Sequence, residues 1–232
     1  MEKTALASLQ KGIFVFPNFG PSALAVFSSR EFDAAKDLPF FLKSLGVDSH
    51  PFSTLQQVHG NKIVVVSSKE KTNISEADAI VTGERNLPIL IRTADCLPVF
   101  FLDSTRSAIG LAHAGWRGVQ KKIIQKTMDT LRSHFGSRPE NIQVALGPAI
   151  RECCYEVGDE FSDYFPDFVR KKKGKNHFDL IAAAVHQLED AGIPISVVTD
   201  SGICTACSTD RFFSARREGQ NTGRLLSALM LR

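Results

Sequence analysis

The chain has 232 residues, 43% of them apolar and 23% charged, an ordinary globular composition with enough length for a sizeable core. A net charge of +3 gives no reason to expect a nucleic-acid or acidic-membrane partner, and the main basic run, Arg170-Lys171-Lys172-Lys173-Gly174-Lys175, reads as a solvated loop. No apolar stretch approaches the roughly 18 residues of a spanning helix, and Met1-Glu2-Lys3-Thr4 precedes no apolar signal segment, so a cytoplasmic location is expected.

Taken in chain order, 13–16 and 24–28 read as strands parted by the turn Pro17-Asn18-Phe19-Gly20-Pro21. Residues 34–45 read as a helix stopped by Gly46. Strands follow at 62–67, 79–82, 89–91, 99–102 and 107–112. The run at 99–102 is continuously apolar, as a strand buried on both faces requires. The strongest helix is 119–135, where Ile123, Ile124, Met128, Leu131 and Phe135 share one face and Gly136 sits at the stop position. A strand at 142–146, a helix at 180–191 ended by Gly192 and Pro194, and strands at 195–199 and 225–231 complete the series. This order predicts an α/β fold with sheets covered by helices.

Three places concentrate chemistry. Gln56-Gln57-Val58-His59-Gly60 offers a histidine at an apparent strand end, a pattern that a structural histidine also produces. Thr93-Ala94-Asp95-Cys96-Leu97-Pro98 puts an acid and a thiol in a polar turn between two buried strands, where each unpaired polar group costs about 1–3 kcal/mol. Ala112-His113-Ala114-Gly115-Trp116-Arg117-Gly118 ends a strand and opens a helix, aiming backbone N–H groups and the Arg117 fork at one spot. Two imidazoles and one thiolate suit zinc, and three ligands match a catalytic ion with an open fourth position. The spacing is not a local motif of the H-E-x-x-H kind, so from the residues alone the triad stays open. Five cysteines in a chain of this size are expected to be thiols. Cys204-Thr205-Ala206-Cys207 lacks a second pair and reads as a structural turn, and the adjacent Cys153 and Cys154 read as free thiols. His50, His134, His177 and His186 have no partner pattern and are expected to face solvent.

The ordered set His59-Gly60, Ala77-Asp78-Ala79, Thr93 to Pro98, Ala112 to Gly118, Leu146-Gly147-Pro148-Ala149-Ile150, Cys154-Tyr155-Glu156-Val157-Gly158, Phe212-Phe213-Ser214 with Arg216-Arg217, and Thr222-Gly223-Arg224 resembles the laccase-domain, or polyphenol oxidase, family of bacterial YfiH and YlmD type. The likeness runs from about residue 54 to 232. It implies a single layered αββα-type domain over 1–232, with mixed β-sheets, similar to cysteine-hydrolase-like sandwiches. It implies zinc on His59, Cys96 and His113, with copper as the other metal the family label carries. It implies phosphorolysis of adenosine, inosine and methylthioadenosine, with adenosine deamination besides; a peptidoglycan-editing role has also been attached to the family. Asp95 is then a candidate catalytic proton-handling group or support for the ligands, and Arg117 and Arg30 are candidate anion holders. Trp116, Phe212 and Phe213 are candidates for the slot that takes the base. The N-terminal part departs from the family's Thr-Arg-x-Gly-Gly-x-Ser pattern: Ser28-Ser29-Arg30 keeps the arginine, but Glu31-Phe32-Asp33-Ala34 replaces the glycines.

The implied partners are small molecules, a purine nucleoside and phosphate, and the oligomeric state is not legible. Other readings stay open. Cys96 as nucleophile with His113 as base would make a thiol hydrolase or amidase. A binding or scaffold protein without activity is a further class. A multicopper oxidase is disfavoured, because six histidines are too few at sensible positions.

Overall fold

The continuously apolar run lies at the centre of the molecule. In this computed structural model, which describes residues 6–67, 72–74 and 76–232, Leu97–Asp103 is a strand buried at every position. Leu97, Val99 and Phe101 enter a core shared with helices, while Phe100 and Leu102 enter a core shared with a second sheet. A strand covered on both faces has no solvent side to mark with polar residues. Its antiparallel partner Ala108–Ala114 repeats the alternation, with Ala108, Ala112 and Ala114 toward the helices and Ile109 and Leu111 toward the other sheet.

Around this pair a six-stranded sheet runs in the order Val198–Asp200, Ile142–Leu146, Leu97–Asp103, Ala108–Ala114, Ala79–Thr82, Ile63–Val66. Its inner pairs are antiparallel and its two outer pairs parallel. A seven-stranded sheet lies against it in the order Ala7–Gln10, Ile13–Val15, Ala23–Ser28, Leu225–Leu231, Ile89–Thr93, Ser53–Leu55, Thr72–Ile74. Phe16, Phe27, Leu55, Ile91 and Phe100 fill the space between the sheets. Phe41 and Leu42 of the helix Leu38–Ser44 cover the far face of the seven-stranded sheet over Val26, Leu90 and Leu226. Ile124, Met128 and Leu131 of the helix Ile123–Phe135, with Leu188 of Leu180–Asp190, cover the far face of the other. The layers are therefore helix, sheet, sheet, helix, the αββα order expected with mixed sheets. Among the described residues no helix is long and apolar enough to cross a membrane.

Four expectations change in detail. The helix read at 34–45 begins only at Leu38. Asp33 accepts from the Ala35 N–H and Asp37 from the Asp33 N–H, turns that hold the chain out of a helix until Pro39 can sit in its first turn. The helix read at 119–135 is two helices, Trp116–Gln120 and Ile123–Phe135, with Lys122 left-handed at φ +62° between them. Side chains take the carbonyls at the break: Asn61 donates to Lys121 and Gln187 to Val119. Residues 195–197 form a 3-10 turn before the strand Val198–Asp200. The basic run is not a loop but a hairpin, Val169–Lys172 with Lys175–Phe178. Lys173 at φ +47° and Gly174 at φ +80° give the two-residue turn a tight hairpin needs. Lys172 and Lys175 pair there with Glu152 and Glu156.

Candidate metal centre and its cleft

Two of the three suspected ligands sit where the chain passes from one sheet to the other. His59 lies between Ser53–Leu55 of the seven-stranded sheet and Ile63–Val66 of the six-stranded sheet. Cys96 lies between Ile89–Thr93 and Leu97–Asp103, again one strand from each sheet. His113 belongs to Ala108–Ala114 and shares the parity of Ile109 and Leu111, so it faces the gap between the sheets. The ligand atoms of His59, Cys96 and His113 lie within 4.8 Å of one another, and the two imidazoles meet edge to face at 4.9 Å between ring centres.

One wholly buried carboxylate arranges both histidines. Asp78 Oδ1 lies 2.8 Å from His113 Nδ1, leaving Nε2 to face Cys96. The same side chain accepts the backbone N–H of His59 at 2.9 Å and of Gly60 at 2.7 Å. Those bonds hold His59 at φ +58°, a left-handed conformation that a residue with a Cβ adopts only under restraint. Burial would raise the Asp78 carboxyl, but the hydrogen bonds from His113, Gly60 and His59 hold it below the usual carboxylate range.

Burial would also raise the Cys96 thiol, yet the charge and hydrogen bonding of His113, with His59 beside it, bring it down to about 6. His113 moves the opposite way: burial would lower it, and the Cys96 charge and the Asp78 hydrogen bond raise it to about 9. Without a metal these two groups form a thiolate–imidazolium pair.

The donor set fits a zinc ion. It has one thiolate and two imidazoles, converged, with the ring orientation of His113 fixed by a carboxylate on its far nitrogen, as metal-binding histidines commonly are. A Cβ on Gly115 would come within 2.9 Å of Cys96 Sγ and 3.4 Å of His59 Cδ2, so only glycine lets the backbone pass this close.

The triad opens onto a cleft of about 610 Å³. Arg92, Arg117, Arg216 and Arg224 line it, and among the described residues no carboxylate lies within ion-pair distance of any of them. Arg216 donates to the Glu156 carbonyl and lies over the Tyr155 ring at 5.2 Å, and Arg224 donates to the carbonyls of Gln220, Thr222 and Gly223, contacts that fix the side chains. Arg117 is exposed and stacks over the Trp116 ring at 4.4 Å. Trp116 and Tyr155 are the aromatic walls, and burial pushes the Tyr155 phenol up, keeping it protonated. Ala34 and Ala35 also line the cleft, so the segment that departs from the family's N-terminal pattern forms part of its wall.

Other suspected residues lie differently. Asp95, at φ +89°, accepts hydrogen bonds from Thr205 Oγ1 at 2.6 Å, Ser214 Oγ at 3.1 Å and the Arg216 N–H at 2.7 Å. Both its oxygens are occupied in tying the Cys96 turn to the opposite wall. Arg30 does not line the cleft; it donates to the Thr209 carbonyl, pairs with Glu218 at 3.2 Å and covers Phe213. Phe212 is fully buried beside Phe14 and Phe27, and Phe213 packs on Gly223, so neither forms the base slot. The helix after Gly115 has five residues, too short for much dipole, so the arginines carry the attraction for anions. His134 and His186 are exposed as expected, but His50 and His177 are half-buried and His177 Nδ1 bonds the Glu152 carbonyl.

Sequence reading missed Asp78 as a site residue, along with Tyr155, Arg92, Arg216 and Arg224. For Asp78 a signal existed: an acid set among Ala77, Ala79 and Ile80 at the head of a buried strand must be paired to be tolerated. The cysteine reading changes too. All five cysteines are unbonded, but Cys153, Cys154, Cys204 and Cys207 bring their sulfurs within 4.8 Å of one another, so the Cys204 to Cys207 turn does have a second pair.

Known proteins match this arrangement over most of its length. A protein of Deinococcus radiodurans named purine nucleoside phosphorylase is 36% identical over 194 residues, 81% of this chain and 73% of its own. Adenosine deaminase RL5, from an unknown prokaryotic organism, is 33% identical over 202 residues, 80% of this chain and 77% of its own. The crystal structure of the Bacillus licheniformis hypothetical protein YfiH superposes with a TM-score of 0.91 at 26% identity, covering 98% of this chain and 99% of that one. The family model described as multi-copper polyphenol oxidoreductase laccase matches residues 32–232, and the chain belongs to that family.

Proposed function

We propose that the cleft binds a purine nucleoside and phosphate and catalyses phosphorolysis, with zinc held by His59, Cys96 and His113, and that adenosine is deaminated at the same site. The observation that carries this reading is the convergence of three zinc-type ligands at an aromatic-walled cleft whose four arginines have no carboxylate partner among the described residues. The names of the relatives, purine nucleoside phosphorylase and adenosine deaminase, point to the same chemistry.

His59, Cys96 and His113 would hold the ion, which would supply Lewis-acid charge to a substrate oxygen. The protein does the rest. The arginines hold the phosphate dianion, Arg117 from the exposed rim and Arg92, Arg216 and Arg224 from the walls. Trp116 supplies the apolar wall against which the purine packs. A phosphate oxygen bonds to C1′ as the N9–C1′ bond breaks, and the electron pair leaves with the base. The Tyr155 phenol, kept protonated by burial, donates a hydrogen bond to the departing base. In deamination water adds at C6 and ammonia leaves. Asp95 acts by holding the Cys96 turn against Thr205, Ser214 and Arg216.

The test is a panel of adenosine, inosine and methylthioadenosine with zinc-loaded protein, with and without phosphate. Free base is expected only when phosphate is present, with ribose 1-phosphate from adenosine and inosine and 5-methylthioribose 1-phosphate from methylthioadenosine, and Cys96→Ala should abolish phosphorolysis and deamination together. Loss of one activity alone, or no base released at any phosphate concentration, overturns the reading.

A second reading rests on the Cys96–His113 pair, which is ionised as a cysteine nucleophile and its base would be. Alkylation separates the two. If zinc shields Cys96 from iodoacetamide while nucleoside turnover proceeds, the thiol is a ligand and not a nucleophile.

A further inference from the structure

We propose that Cys153, Cys154, Cys204 and Cys207 hold a second zinc ion, in a closed four-thiolate site that braces one wall of the cleft. The four residues come from two turns about fifty residues apart in sequence, residues 151–154 and 203–207. The Cys154 and Cys207 sulfurs are 3.2 Å apart and those of Cys153 and Cys207 3.5 Å, with all four within 4.8 Å of one another. Zinc–sulfur bonds of about 2.3 Å in a tetrahedron place neighbouring sulfurs about 3.8 Å apart, so the cluster already has the size of a single-ion site. It is too tight for an iron–sulfur cluster, which holds its thiolates further apart around several metals. It is too open for disulfides, which need sulfurs about 2.05 Å apart.

The surroundings suit a tetrathiolate. Arg217 donates to the Thr205 and Ala206 carbonyls at 2.8 and 2.9 Å, and Arg151 to the Ile203 carbonyl at 3.1 Å. Each guanidinium is also paired with a carboxylate, Arg151 with Asp200 and Arg217 with Glu218, so the two arginines brace the cysteine-bearing turns. Cys153 and Cys207 are exposed, giving the metal a way in. Four ligands leave no open position, which marks the site as structural.

Its place in the fold says what it holds. Cys154 precedes Tyr155, an aromatic wall of the cleft. Thr205, between Cys204 and Cys207, donates to Asp95, the neighbour of Cys96. An ion joining the two turns would fix both contacts at once.

The experiment counts zinc by elemental analysis in the full-length protein purified anaerobically with reductant. Two ions per chain are expected in the wild type, one in Cys96→Ser and one in the Cys204→Ser/Cys207→Ser double variant. Cobalt substitution reports the ligands: the intense sulfur-to-cobalt charge transfer of a tetrathiolate should persist in Cys96→Ser. A single zinc in the wild type that vanishes in Cys96→Ser overturns the proposal. So does cobalt-loaded Cys96→Ser without the tetrathiolate spectrum, or an intact mass two hydrogens lighter from a disulfide in this cluster. If the double variant fails to fold, the wild-type and Cys96→Ser counts still decide. The outcome is independent of the nucleoside reading, which the activity panel tests alone.

Discussion

Asp78 does the work of several residues. It orients the His113 ring, pins the His59 backbone in a left-handed conformation and is itself sealed from water. Asp78→Asn keeps the shape but removes the charge, so zinc affinity measured by chelator competition should fall about 10–100-fold. An unchanged affinity would mean that the carboxylate only supports the loop. The pair beside it sets a proton count. Cys96 lies near 6 and His113 near 9 in the metal-free protein. The depressed thiol adds stability that grows above about 6, and the raised imidazole adds stability that is lost toward about 9. These trends oppose each other, so their joint contribution to stability is flat between those values. Zinc binding is different, because the imidazolium must give up its Nε2 proton while the thiol is already ionised. Between pH about 6 and about 9, binding at this site should release one proton, and affinity should rise about tenfold per pH unit. Calorimetry in buffers of different ionisation enthalpy, comparing wild type with Cys96→Ser, measures that proton; finding none would show that His113 is neutral before the metal arrives.

At the scale of elements, periodicity marked most strands and both long helices, and tertiary contacts decided the remainder. The single helical face at 119–135 carried no sign of the break at Lys122. That break depends on Asn61 and Gln187, residues far off in sequence, taking carbonyls the helix would otherwise use. The basic run looked like a loop because its strands expose their lysines, and only Lys173-Gly174 hinted at a hairpin turn. The short helix Trp116–Gln120 presents Arg117 at the rim of the cleft, with its guanidinium over the Trp116 ring. Arg117→Ala should therefore raise the phosphate KM about tenfold or more, the value of a charged hydrogen bond, while the melting temperature stays within a degree or two. An unaltered phosphate KM would assign the anion to Arg92, Arg216 and Arg224 alone.

At the scale of the whole molecule, the layered fold was legible because buried strands write continuous apolar runs. The three metal-type ligands were legible as residues, through their ordered motifs, but their convergence was not: His59, Cys96 and His113 meet only because two chain crossings and one strand end coincide in space. The cleft was legible in part. Trp116 and Arg117 stand beside a ligand in sequence, whereas Arg92, Arg216, Arg224 and Tyr155 arrive from other segments, and Arg30 is drawn off by Glu218. The four-cysteine cluster was invisible for the same reason, since its pairs lie in separate turns.

Because His59 and Cys96 both ride on links that step between the sheets, and His113 looks into the gap, any ion they share is fastened to both layers. Its bond lengths then act as a gauge of how far apart the sheets lie at that end. A bulkier side chain inserted between the layers at Ile109 or Leu111, touching no ligand, would pry the donors apart, and the metal would sense the packing of a core it never contacts.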